Sequence, residues 1–337
     1  MFDTLVLSGG SYKGYSYIGF LRKLEETGIR ANIKNISACS VGSIFGLLMV
    51  LGLSSSEMID IMKKYDIRRA YQFDIKSLIS HYGLCDFVKI RNIISGMMSE
   101  KGVNSSVTFK NLYDITKINL VINATCVETN STVYFNWENS PDMEVLGAIQ
   151  MSCAIPFLFV KNEYRGLTYV DGGILDNLPY TPFQHKDKNQ VLSVYLKETP
   201  TTTDLGTLDG YLLTIVNLIS ANYSKLKERY LFPDSYVVKI SVPVNMLTLH
   251  ISDKFAMELI ENGYQQTTYY FSLWRAKYGF KYPNEMCQEQ RTSTDHSGDE
   301  PPLVILEKQE EPKTKFKLKL RYTKRYDISQ REHDLNS

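Results

Sequence analysis

At 337 residues, with 43% hydrophobic and 22% charged residues, the chain has an ordinary globular composition and enough length to bury a large core without disulfides or metal. A formal net charge of +1 and a pI near 7.6 exclude a dedicated basic nucleic-acid binder, and no nucleic-acid partner is expected. The five cysteines are irregularly spaced with no CxxC pair, which excludes a zinc ribbon or redox dithiol and reads as reduced free thiols.

Thr4–Leu7 predicts a short buried strand, and Gly9, Gly10 and Gly14 a tight turn after it. Tyr17, Phe20, Leu21 and Leu24 then recur at helical spacing, and Gly28 sits where a C′ cap belongs. Ile33–Ala38 predicts a second strand, followed by a sharp turn at Cys39-Ser40-Val41 and the apolar run Val41–Leu53. That run is too short to span a bilayer and predicts a buried helix. The βαβα order argues for an α/β fold with a parallel sheet covered by helices. From Glu57 to Asn111 the chain reads as helical and polar, without a site signature.

Strands are expected again at Leu120–Val127 and Thr132–Phe135, joined by a hairpin turn, then a short helix around Val145–Met151. Leu167–Val170 predicts a strand ending at Asp171-Gly172-Gly173. Further strands are expected at Val191–Leu196 and Tyr236–Val242, and long helices at Leu208–Tyr230 and Asp253–Tyr278. Composition shifts after Pro283, predicting a domain over 1–283, an acidic proline-containing linker over 284–312 and a basic tail over 313–337. In the tail, Phe316, Leu318, Leu320 and Tyr322 alternate with Lys315, Lys317, Lys319 and Arg321. This reads as a solvated basic edge, or as peripheral contact with anionic lipid heads at about 1 kcal/mol per basic residue. The N-terminal segment has no basic n-region or cleavage site, so a cytoplasmic protein without signal peptide or membrane span is expected.

Three short motifs carry chemistry. Ser8-Gly9-Gly10-Ser11-Tyr12-Lys13-Gly14 follows a strand and opens a helix, so its N–H groups can converge on an anion or a developing oxyanion. A P-loop would need Lys where Tyr15 stands, and a dinucleotide loop would need Gly where Ser11 stands. Ala38-Cys39-Ser40-Val41-Gly42 has the small-residue spacing of a strand-to-helix nucleophile elbow; its plain alternative is a helix N-cap serine. Asp171-Gly172-Gly173 places a carboxylate at a strand's end, where it can serve Ser40 as a base or simply make a turn. All three follow strands, which predicts that one edge of a parallel sheet collects them.

In this order the motifs resemble those of the patatin-like phospholipase family: a G-G-G-x-[KR]-G loop, a G-x-S-x-G elbow and a D-G-[GA] element. Ser152-Cys153-Ala154-Ile155-Pro156 and Asp176-Asn177-Leu178-Pro179 also look like family features, and the resemblance covers Phe2 to Pro179. It implies a three-layer α/β/α fold with a mostly parallel central sheet and helices on both faces. It also implies a phospholipase A-type acyl hydrolase acting on phospholipids or other acyl lipids, with no metal or other cofactor and independent of calcium. By carry-over Ser40 is the nucleophile, Asp171 the general base, and Gly9, Gly10 and Ser11 the oxyanion-hole donors. Lys13, Gly14, Ala38, Gly42, Gly172 and Gly173 support these motifs. Ser11 and Ala38 replace family glycines, which keeps two alternatives open: a catalytically impaired lipid-binding protein and a lipid transacylase. Within the chain the rivals are His250 or Asp176 as base and Cys39 as nucleophile. Met97, Met98, Phe157 and Phe159 read as core or as an acyl groove.

Overall fold

The computed structural model describes residues 1–65, 74–198, 207–231, 236–242 and 251–286. Its strands, in chain order, are β1 (Thr4–Leu7), β2 (Asn35–Ala38), β3 (Gly83–Cys85), β4 (Asn119–Cys126), β5 (Ser131–Phe135), β6 (Phe157–Phe159), β7 (Asn162–Tyr164), β8 (Leu167–Asp171), β9 (Val191–Glu198) and β10 (Tyr236–Val242). Its helices are α1 (Ser16–Thr27), α2 (Val41–Val50), α3 (Ser55–Lys64), α4 (Ile75–His81), α5 (Val88–Glu100), α6 (Phe109–Thr116), α7 (Val145–Ser152), α8 (Gly173–Asp176), α9 (Leu208–Leu231) and α10 (Asp253–Tyr278).

The main sheet runs β10-β9-β1-β2-β4-β8-β7, with β5 beside β4. From β10 to β4 the pairing is parallel, whereas β5 and β8 both run antiparallel to β4. Fully buried strands with period-2 partition build two cores. Leu5, Leu7, Ile36, Ala38, Leu120 and Ile122 face a large core shared with α1, α2, α7 and α10. Val6 and Val121 face the opposite side, against Leu178, Tyr180 and Phe183. The α8 turn and a 3-10 turn at Thr181–Phe183 lie on that second side, so helical segments flank both faces.

The register around β4 departs from the sequence expectation. Ile122 pairs with Ala38 of β2 and Phe135 of β5; Ala124 pairs with Asp171 of β8 and Val133 of β5. Since β5 occupies the other flank throughout, β2 and β8 share one flank of β4 and meet end to end. Asp171 therefore does not arrive on the same edge of a parallel sheet as Ser40. It arrives from the opposite direction, and the two strand ends converge over the middle of β4.

The predicted domain boundary at 283 also shifts slightly. Asn284 donates to the Glu26 carbonyl at 3.0 Å and Glu285 pairs with Arg275 at 2.7 Å, so these residues join the body. The rest of the predicted linker and the basic tail lie outside the described residues. The α1 and α10 helices cross with their backbones in contact. A Cβ on Gly19 would sit 1.9 Å from the Ile260 carbonyl oxygen, and one on Gly263 would sit 2.1 Å from that of Ser16. Gly263→Ala is expected to cost about 2–3 kcal/mol in urea unfolding by forcing the helices apart. Unchanged stability would contradict this crossing.

Candidate active site

The elbow begins where β2 ends. The Cys39 N–H still donates to the Leu7 carbonyl at 3.0 Å, and Ser40 then turns sharply with φ 49° and ψ −128° before α2 starts at Val41. A positive φ is costly for a residue with a Cβ, so neighbours must hold it. The Ser40 N–H donates to Ser152 Oγ at 2.8 Å, and the Ser40 carbonyl accepts from Ser43 Oγ at 2.6 Å. Gly42 lets α2 approach β1, since a Cβ there would sit 2.6 Å from the Ser8 carbonyl oxygen. The Ala38 methyl is fully buried opposite Gly46, where a Cβ would stand 3.3 Å away. The missing family glycine at 38 is thus matched by a glycine on the facing helix.

Ser40 Oγ donates to Asp171 Oδ2 at 2.6 Å. The other carboxylate oxygen accepts the Gly173 N–H at 2.7 Å, and the Asp171 N–H is fixed to the Ala154 carbonyl at 2.8 Å. Only 5% of Asp171 is exposed. Burial disfavours the charged form and lifts its pKa to about 6, against the opposing pull of the Ser40 and Gly173 hydrogen bonds. Gly172 lies against Asn123, where a Cβ would meet the Asn123 carbonyl oxygen at 2.6 Å, and Gly173 lies against Asn177. Asp176, the rival base, is turned away from Ser40: its carboxylate accepts the Tyr134 hydroxyl, and its carbonyl accepts Asn123 Nδ2 at 2.8 Å.

In the glycine-rich loop, Ser11 takes φ 51°, the left-handed conformation that a glycine would adopt without strain. Its backbone therefore follows the turn that the sequence pattern requires. Gly9 requires a correction as an oxyanion donor: its N–H is engaged by the Asn177 carbonyl at 3.2 Å. The Gly10 and Ser11 N–H groups have no acceptor among the described residues, and both residues share a cleft wall with Ser40. Lys13 is buried beneath the loop with its N–H on the Gly10 carbonyl at 3.1 Å, a position that supports the loop. Gly14 sits against Val41, where a Cβ would come within 2.7 Å of that side chain, and so clamps the loop onto the start of α2.

Two spaces meet at Ser40. One is a small mixed cleft walled by Gly10, Ser11, Asp171, Asn177, Ile155, Ile174 and, from α9, Val216 and Ser220. Ser220 Oγ ties α9 to the Gly173 carbonyl at 2.6 Å. The other is a largely apolar cavity whose empty space is about 930 Å³ when its open mouth is counted with it. Its walls come from α2 and from Met62, Tyr65, Phe87, Ile90 and Met97. The 57–111 region, read from sequence as lacking a site signature, thus supplies one side of it. Met97 and Phe159 line the cavity, whereas Met98 is core and Phe157 is 37% exposed at the surface. Ser152 and Asn177 fall in the two further segments that resemble family features, with no role assigned to either from the sequence, and Ser220 carried no motif at all.

His81 and His185 are exposed, and His250 is outside the described residues. Among the described residues no group of His, Cys, Asp and Glu is placed to hold a metal ion, and no helix is long and apolar enough to cross a membrane. Cys39 is fully buried, and burial together with nearby Asp171 pushes its thiol pKa well up.

The fold is that of a known class. The chain belongs to the patatin-like phospholipase family, whose model, described as "Patatin-like phospholipase", matches residues 5–183. It is 30% identical over 185 residues to a "Probable lipid hydrolase 463L" of Invertebrate iridescent virus 6, covering 53% of this chain and 62% of that protein. It is 28% identical over 276 residues to "Uncharacterized protein R571" of Acanthamoeba polyphaga mimivirus, covering 77% of this chain and 90% of that one. Among solved structures, VipD from Legionella pneumophila matches with a TM-score of 0.52 at 19% identity, over 80% of this chain and 66% of VipD, and shows the shared fold.

Buried and neutral, Cys39 and Cys153 are expected to resist iodoacetamide in the folded protein at neutral pH and to react once it is unfolded. Rapid alkylation of Cys39 in the folded state would contradict this geometry.

Proposed function

We propose that the protein is a lipid acyl hydrolase that cleaves fatty-acyl esters of phospholipids through Ser40 and Asp171. The observation that carries this reading is the 2.6 Å hydrogen bond from Ser40 Oγ to a buried carboxylate at the junction of a small mixed cleft and an apolar cavity. The family and the lipid hydrolase name of the viral relative support the substrate class.

In this mechanism Ser40 Oγ attacks the ester carbonyl while its proton passes to Asp171 Oδ2. An aspartate of ordinary pKa is a weak base for a hydroxyl, and burial makes this one stronger. The carbonyl oxygen becomes an oxyanion, which the Gly10 and Ser11 N–H groups stabilise; each such donor is typically worth about 10²–10³ in rate. The intermediate collapses, the C–O bond to the alcohol breaks, and the alkoxide takes the proton held by Asp171. Water then gives a proton to Asp171 and attacks the acyl-enzyme. The acid leaves, and Ser40 regains its proton from Asp171.

Gly173, holding the other carboxylate oxygen, keeps Oδ2 aimed at Ser40. The two family departures are accommodated, Ser11 by its backbone angle and Ala38 by Gly46, which favours turnover over passive lipid binding.

Ser40→Ala and Asp171→Asn should each lower hydrolysis of phosphatidylcholine vesicles by about 10³-fold or more while circular dichroism stays unchanged. Near-normal turnover in either variant would refute the dyad. The pH profile follows from Asp171: protonated below about 6, it cannot accept the serine proton. Thus kcat/KM of the wild type should rise about tenfold per pH unit up to that point and level off above it. A limb near an ordinary aspartate pKa would contradict the buried base.

A further inference from the structure

Val41, Ile44, Phe45 and Leu48 fall at i, i+3, i+4 and i+7 on one face of α2, and all four line the apolar cavity that opens on Ser40. The cavity therefore follows the helix from its N-terminus to Leu48, about eight residues or about 12 Å at helical rise. Phe87, Ile90 and Met97, along α5 and its N-terminal flank, line it as well. No charged side chain stands among its described lining residues, and the serines that line it are Ser11 and Ser40. Walls this apolar suit a hydrocarbon chain.

We infer that this slot is a length gauge for the acyl chain of the scissile ester, with Leu48 marking its inner limit along α2. The inference rests on the reading of Ser40 as nucleophile. An extended chain of single bonds advances about 1.2 Å per bond, as the reach of an extended backbone implies, so about 12 Å seats about ten carbons beyond the carbonyl. Each methylene entering the slot leaves water and strengthens binding. A carbon past the limit gains nothing. Met97, unbranched and adaptable, makes that wall tolerant of chain shape.

The test is a series of p-nitrophenyl esters from acetate to tetradecanoate, below their aggregation concentrations, with wild type, Leu48→Trp and Leu48→Ala. Each profile is scaled to that protein's own acetate rate, and thermal melts check folding. In the wild type kcat/KM should rise up to about fourfold per added methylene and flatten near undecanoate. Leu48→Trp should bring the break at least two carbons earlier, and Leu48→Ala should move it later. Turnover with the same break in all three proteins, or with no break, overturns the gauge and leaves the hydrolase reading standing. No turnover of any ester by folded wild type overturns both.

Discussion

A short hydrogen bond between a serine and a buried carboxylate is the feature on which the rest of the site depends, and the register of β4 makes it possible. Ile122 and Ala124 are two residues apart on one strand; the first holds the end of β2 and the second the end of β8. Ser40 lies two residues past Ala38, and Asp171 is the last residue of β8, so the antiparallel approach brings both groups to the same point. A one-residue slip of β8 would turn Asp171 to the other face of the sheet and lose the contact. The same burial that excludes water from this pair raises the carboxylate's basicity.

This arrangement is costly, and the surroundings hold it in place. Ser40 and Ser11 both occupy left-handed backbone, each at about 1–3 kcal/mol. Ser152 and Ser43 hold the elbow, Asn177 anchors Gly9, and Gly14 and Gly42 let α2 and the loop approach closely. Strain stored between rigid strand ends is a form of preorganisation: in the proposed mechanism the Gly10 and Ser11 N–H groups and the Asp171 carboxylate are in position before substrate arrives.

Much of this was legible in the sequence because the chemistry needs particular residue types at fixed spacing. Glycines, the elbow serine and the strand-end aspartate announced their local conformations, and long periodic elements such as α10 and β10 matched their predicted bounds. Strand direction was not legible: a run such as Leu167–Val170 looks alike in either polarity, so the head-on meeting of β2 and β8 was missed. The engagement of the Gly9 N–H by Asn177 depends on a partner far along the chain. Met62, Tyr65 and Met97 line a cavity with the same helical spacing that core residues use, so periodicity alone cannot separate the two. Strands β3, β6 and β7 are too short to show a period-2 pattern.

The most direct test of the central claim is treatment of the folded protein with a serine-directed fluorophosphonate and location of the adduct by mass spectrometry across a pH series. The account predicts one adduct on Ser40, forming more slowly as pH falls through about 6 and lost in Asp171→Asn. An unlabelled Ser40, or labelling indifferent to both pH and Asp171, would contradict it.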